Sequence, residues 1–337
     1  MILIPTPATI AARALPGGLP FVRDQLHARY GLFSSALDPD ATPGDPGLFG
    51  PGSPTWELVG QPSQALAGLR AALLQALSAP IPTATDHTGG FARDFGGRVS
   101  RTGAFVQQQN LGSMDEVHRS ARRVRAMHRT VKGTARDGIE FDAGDAHQQA
   151  WVSMTLTESI LVMTERYGTG RLDPARADQF VREQSTHGAL LDPRVDLDAI
   201  FDDPERRAAL RAGELPLPSI EDGRLPTTVA GLRERMQDRT SELYATDLTR
   251  RLLDDTVQLT GVPSPQRSII RVFLLATLAT IPDEWHELLA PGENRFEEHL
   301  AAQAVQTPLA LLQLLFGRSR AIDVAHRRVR RSPEPVV

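Results

Sequence analysis

The stretch RSARRVRAMHRTVKGT, residues 119–134, sets a single imidazole on a basic helix. At helical spacing Val117, Ala121, Val124, His128 and Val131 share one face, and that face is otherwise apolar. An imidazole in such a place has two readings. It is a core histidine with one ring nitrogen bonded to a carbonyl, or it is an axial ligand that projects, neutral, from a helix into an apolar cavity. A ligand of that kind also needs an acceptor for its other N–H. Spacing alone leaves both readings open. Arg125 lies one turn before His128 on nearly the same side. A second cluster, Arg98, Arg101 and Thr102, is followed by Phe105 and Val106, so its helix also has an apolar side. Arginines there are either solvated or turned into a cavity. In a cavity they must pair with a carboxylate, such as a haem propionate, or face bound oxygen.

Other patterns that carry chemistry are missing. The chain has no H-E-x-x-H, no G-x-S-x-G, no P-loop and no G-x-G-x-x-G after a strand. His87, in a loop, His118, on a basic helix face, and His147, near a helix start, read as structural or solvated. The acidic pairs at 202–203, 254–255 and 297–298 read as solvated faces. The basic run at 326–331 reads as a charged terminus.

The elements that must position these residues are helical. Ser113 and Glu116 form a capping box that opens the His128 helix, and Gly133 is its expected stop. Further helices are expected over 63–77, 98–109, 145–167, 173–184, 227–245, 264–281 and 295–317, the last broken near Pro308. On the 145–167 helix Gln149, Ser153, Leu156, Ile160 and Met163 share a face. Residues 38–55 and 78–90 are rich in proline and glycine and read as loop, and 190–226 as irregular and charged. Alternating strand patterns are nearly absent. The expected fold is all-α, with one dominant domain.

Composition narrows the class. Of 337 residues, 37 are Lys or Arg and 41 Asp or Glu, a formal net charge of −4, which argues against a nucleic-acid partner. The absence of cysteine excludes disulfides, iron–sulfur clusters and a thiolate-ligated haem. The N-terminus has no basic lead before its apolar residues, so no signal peptide is expected. No apolar run approaches the ~20 residues of a membrane span. A cytoplasmic protein is the expectation.

Several stretches together are similar to a known family. They are FGPGSPTWELVGQPSQALAGLRAALLQAL (49–77), DFGGRVSRTGAFV (94–106), EVHRSARRVRAMHRTVKGTARDGIEFDAGD (116–145), AWVSMTLTESIL (150–161), YGTGRLDPARADQFVRE (167–183) and IPDEWHELLAP (281–291). In this order and spacing, over roughly residues 45 to 292, the chain resembles the oxygenase family of the fungal MpaB protein and the bacterial latex-clearing protein, a rubber oxygenase. The resemblance implies a single large helical domain enclosing a haem-sized cavity, with an N-terminal extension over 1–44, a catalytic domain over 45–292 and a C-terminal helix with a basic tail over 293–337. It implies a b-type haem, with a proximal histidine in an R-x-x-H pattern that falls on Arg125 and His128. It implies a distal R-x-x-K-T pattern that falls on Arg98, Arg101 and Thr102. Arg101 stands where relatives carry a lysine that can cap the iron, and a guanidinium stays protonated and makes a poor ligand. Ser78 and Ser153 stand where many relatives carry histidine. Serine cannot replace an imidazole as a ligand, but Ser153 can still donate a hydrogen bond to a propionate, to oxygen or to a substrate.

The expected activity is that of a haem-b-dependent oxygenase using O2 on a hydrophobic small molecule, a secondary metabolite or isoprenoid. Metal ligation falls to His128, cofactor binding to His128, Arg125 and Ser153, and the oxygen-facing side to Arg98, Arg101 and Thr102. The two serines keep two rivals in view: haem-independent chemistry on the same scaffold, and a non-catalytic helical protein that binds a hydrophobic ligand.

Overall fold

A computed structural model describes residues 5–15, 18–19, 21, 35–89, 95–258, 264–292 and 294–331. Among these residues the chain is all-α, one helical domain whose sole sheet is a two-stranded hairpin. The rest of the expected N-terminal extension lies outside them. The helices are α1 (Pro7–Ala14), α2 (Pro54–Leu58), α3 (Gln64–Gln75), α4 (Pro80–His87), α5 (Phe95–Leu111), α6 (Met114–His128), α7 (Ala146–Tyr167), α8 (Pro174–Ala189), α9 (Leu197–Phe201), α10 (Pro204–Ala212), α11 (Pro218–Glu221), α12 (Val229–Asp238), α13 (Asp247–Gln258), α14 (Ser264–Leu278), α15 (Asp283–Leu289), α16 (Arg295–Ala304), α17 (Gln306–Phe316) and α18 (Arg320–Arg330). The hairpin, β1 (Lys132–Thr134) and β2 (Glu140–Asp142), is antiparallel, with Gly133 opposite Phe141.

The long helix α7 is the axis of the core. Asp145 caps it by accepting a hydrogen bond from the Gln148 amide. It packs along α3, then against α8 and α12. Trp151, Met154, Ile160, Met163 and Tyr167 are buried along it. Trp151 meets Trp285 of α15 edge-on at 6.2 Å and carries the Arg239 guanidinium over its ring at 5.2 Å. The leucine stripe expected on α3 is present, with Leu66, Leu73 and Leu77 buried and Leu69 half-buried. Arg70 of the same helix is buried too, paired with Glu158 of α7 and donating to the Thr280 hydroxyl, so a charge is carried inside only because its partners are there.

Several expectations are corrected. The 78–90 stretch is not all loop, because Pro80 occupies the start of α4, where a missing N–H costs nothing. Residues 190–226 hold the three short helices α9, α10 and α11, each begun by a proline or an aspartate cap. The break in 295–317 does fall near Pro308 as expected, at Val305, so that proline sits in the first turn of α17. Glu298 is not on a solvated face. It is fully buried and accepts from the buried His286 at 2.6 Å and from Arg295 at 3.1 Å. Nor is the 326–331 run merely a charged terminus, for Arg328 is 1% exposed and donates to the carbonyls of Asp45 and Leu111. By length and composition Arg295–Arg330 could cross a membrane. It is three helices, however, and Leu309, Phe316, Ile322 and Ala325 face protein.

Candidate functional site

Helix α6 begins as its sequence dictates. Ser113 accepts from the Glu116 amide, and the Glu116 carboxylate accepts from the Ser113 amide. Val117 and Ala121 are buried. The helix then stops at His128 rather than at Gly133. Its last residues give way to β1, whose Gly133 lies flat against the Phe141 ring, where a Cβ would sit 3.2 Å from the ring. The Ala143 amide closes the hairpin onto the Val131 carbonyl at 2.9 Å. His128 is therefore the last residue of its helix and not a mid-helix residue, and Val131 is no part of its stripe.

His128 is half-buried, and its Nδ1 is buried with no hydrogen-bond partner. The negative end of the helix dipole and the Asp142 carboxylate both favour an imidazolium here. Burial outweighs them and holds the ring below its ordinary pKa, so it is neutral at pH 7 with a lone pair to offer. Arg125 does not accompany it as a free cation. Its guanidinium donates to the carbonyls of Val195 at 2.7 Å and Pro193 at 3.0 Å, fastening α6 to the turn before α9.

Gln149 lies in the same neighbourhood, since its amide nitrogen donates to the Ala143 carbonyl. Its Oε1 is buried without a partner. One turn along α7, Ser153 lies against Gly188 of α8, where a Cβ on the glycine would come within 2.3 Å of the serine oxygen. Beside that glycine is His187, 6% exposed, with Nε2 buried and unpartnered. Its ring meets Phe105 of α5 at 5.6 Å. Desolvation alone pushes its pKa down to about 4. His187 escaped the sequence reading because Ser185 and Thr186 before it look like a solvated helix end. The one legible signal was a glycine inside a helical pattern, which marks close backbone approach.

On α5, Arg98 donates to the Thr85 carbonyl and the Thr88 hydroxyl of α4 and the turn after it. Arg101 and Thr102 are exposed, one turn before the half-buried Phe105. Ser78 donates to the Gln148 side chain at 2.8 Å. The structure thus brings Ser153, His187 and Phe105 along one path over α7, α8 and α5, with Gln149 one turn before Ser153 and tied to the Ala143 carbonyl of the hairpin that follows His128. It leaves Arg125 and Ser78 on structural partners. His118 and His147 pair with Asp198 and Glu242, and His87 packs on Phe141.

Among the described residues no three His, Cys, Asp or Glu side chains cluster to hold a metal. A metal on His128 would need its remaining ligands from a bound group, which is what haem provides. His128 Nδ1, Gln149 Oε1 and His187 Nε2 are, like Trp151 Nε1 and His286 Nδ1 in the core, buried without a hydrogen-bond partner among the described residues, and a neutral imidazole such as that of His128 has the donor chemistry to ligate haem iron.

No curated protein and no solved structure matches the chain. Residues 56–307 match the family described as "ER-bound oxygenase mpaB/B'/Rubber oxygenase, catalytic domain". The match covers most of the chain and spans every element of the path just described, and the chain belongs to that oxygenase family.

Proposed function

We propose that this oxygenase-family chain is a haem-b-dependent oxidoreductase that uses O2 on a hydrophobic small molecule, a secondary metabolite or isoprenoid, with His128 holding the iron. The observation that carries the reading is the state of His128: kept neutral by burial at a helix end, with Nδ1 buried and without a hydrogen-bond partner among the described residues. Haem, when bound, supplies the redox chemistry that lets O2 react with an unactivated hydrocarbon.

The chain's own residues would do the rest. Gln149 and Ser153, one turn apart on α7, would offer hydrogen bonds to a propionate or to an oxygen-bearing substrate. Arg98, held by Thr85 and Thr88, braces the start of α5. Arg101 and Thr102 on that helix present a fixed positive charge and a hydroxyl to polarise oxygen, and Arg101 does so without capping the iron.

The test is the visible spectrum of the full chain produced with a haem precursor. A Soret band is expected, and His128→Ala should abolish it while leaving the far-UV circular dichroism unchanged. Normal haem content in that variant would refute the ligand assignment. No band in the parent protein would favour haem-independent chemistry on the same scaffold.

A further inference from the structure

We infer that His187 is the polar anchor of a ligand chamber at the junction of α5, α7 and α8, and that the molecule it holds is neutral, largely apolar and carries one hydroxyl or carbonyl oxygen. The inference deepens the substrate side of the reading above and rests on it only for the chemistry that follows binding.

A protein does not ordinarily bury an imidazole nitrogen with nothing to bond. An unsatisfied buried donor or acceptor destabilises the fold, and a leucine of similar size would avoid that cost. His187 bears it, since among the described residues Nε2 is buried with no hydrogen-bond partner. Its neighbours explain what the missing partner must be. On one side is the ring of Phe105. On the other, the chain passes at once to Gly188, packed on Ser153 and facing Leu225. Desolvation keeps the imidazole neutral. A carboxylate, phosphate or ammonium ligand would be buried beside an uncharged group and is disfavoured. A neutral oxygen is not: one imidazole nitrogen can donate to a carbonyl or exchange a hydrogen bond with a hydroxyl.

The route in is past Phe105. That ring is only half-buried, on the helix face that continues to Thr102 and Arg101. On the proposal, displacement of this ring is what would open Nε2 to a ligand. A ligand anchored there would extend along α5 toward the exposed residues proposed to face oxygen.

Octan-1-ol and n-octane share a chain length and differ in one hydroxyl. Their binding to the full-length protein is measured by calorimetry, with the His187 ring followed by 15N NMR. The alcohol is expected to bind about fivefold or more tightly than the alkane, the worth of one net hydrogen bond of about 1 kcal/mol, and to shift the His187 Nε2 resonance. In His187→Leu the preference should vanish while thermal stability holds or rises, because an orphaned polar atom has been removed. His187→Gln should restore part of the preference. A histidine serving only the fold predicts the reverse, a lower Tm in His187→Leu with ligand preference intact. That result, equal binding of the two probes, or no binding of either, would overturn the proposal. The haem content of His187→Leu should match the parent, so failure of the iron-ligand assignment is read from His128→Ala and failure of the anchor from these titrations.

Discussion

At the scale of single residues, two histidines, His128 on α6 and His187 on α8, are kept neutral by burial. For His187 the consequence can be given a sign. Its folded pKa of about 4 lies below the ordinary 6.5. Above pH 6.5 both folded and unfolded chains hold the ring neutral and it has no effect. As pH falls, the unfolded chain gains a proton that the folded chain refuses. Stability should therefore drop by about 3 kcal/mol between pH 6.5 and 4 on this account alone. Urea midpoints of the parent and of His187→Leu across that range test it, and the variant's curve should be flatter. If the two curves run parallel, the ring is not buried as the structure has it. Trp151, fully buried between Trp285 and Arg239, should cost about 3–5 kcal/mol when changed to alanine, read as a lower urea midpoint.

At the scale of elements, the helix that presents His128 is set by what happens at its far end. Ser113 and Glu116 close the capping box, and Arg328 of α18 lies 3.5 Å from the Glu116 carboxylate while donating to the carbonyls of Asp45 and Leu111. Ser113→Ala should lower stability by about 1 kcal/mol. Arg328→Ala should cost about 3 kcal/mol, because Glu116 would lose the positive charge beside it while remaining buried. Both are measurable by urea denaturation. The capping box was legible in the sequence because it is local. Arg328 was not, because HRRVRR carries the same charges whether it is solvated or folded back over 212 residues onto Glu116.

At the scale of the whole molecule, the segment after the family-matched region takes part in the core. Helix α18 buries Ala321, Ile322, Val324 and Ala325 against Leu37, Trp56 and Leu111, and His326 meets the Trp56 ring edge-on. Ending the chain at 318 removes apolar burial worth on the order of 5 kcal/mol, much of the stability of an ordinary domain. The truncated protein is expected to lose its cooperative thermal transition by circular dichroism. A truncated chain that melts as the parent does would show that α18 is dispensable.

Periodicity, caps and turn residues determined the all-α class and the main helices, because those signals act over one or two turns and owe little to distant contacts. The order of family-like stretches determined the oxygenase family. Only the tertiary structure decided where α6 ends, since Gly133 and Phe141 had to meet across a hairpin. It alone decided that Arg125 and Glu298 are spoken for, that Arg328 is buried, and that His187 stands orphaned against Phe105. Each depends on which side chains arrive from elsewhere in the chain, and on whether they leave a polar atom paired or bare.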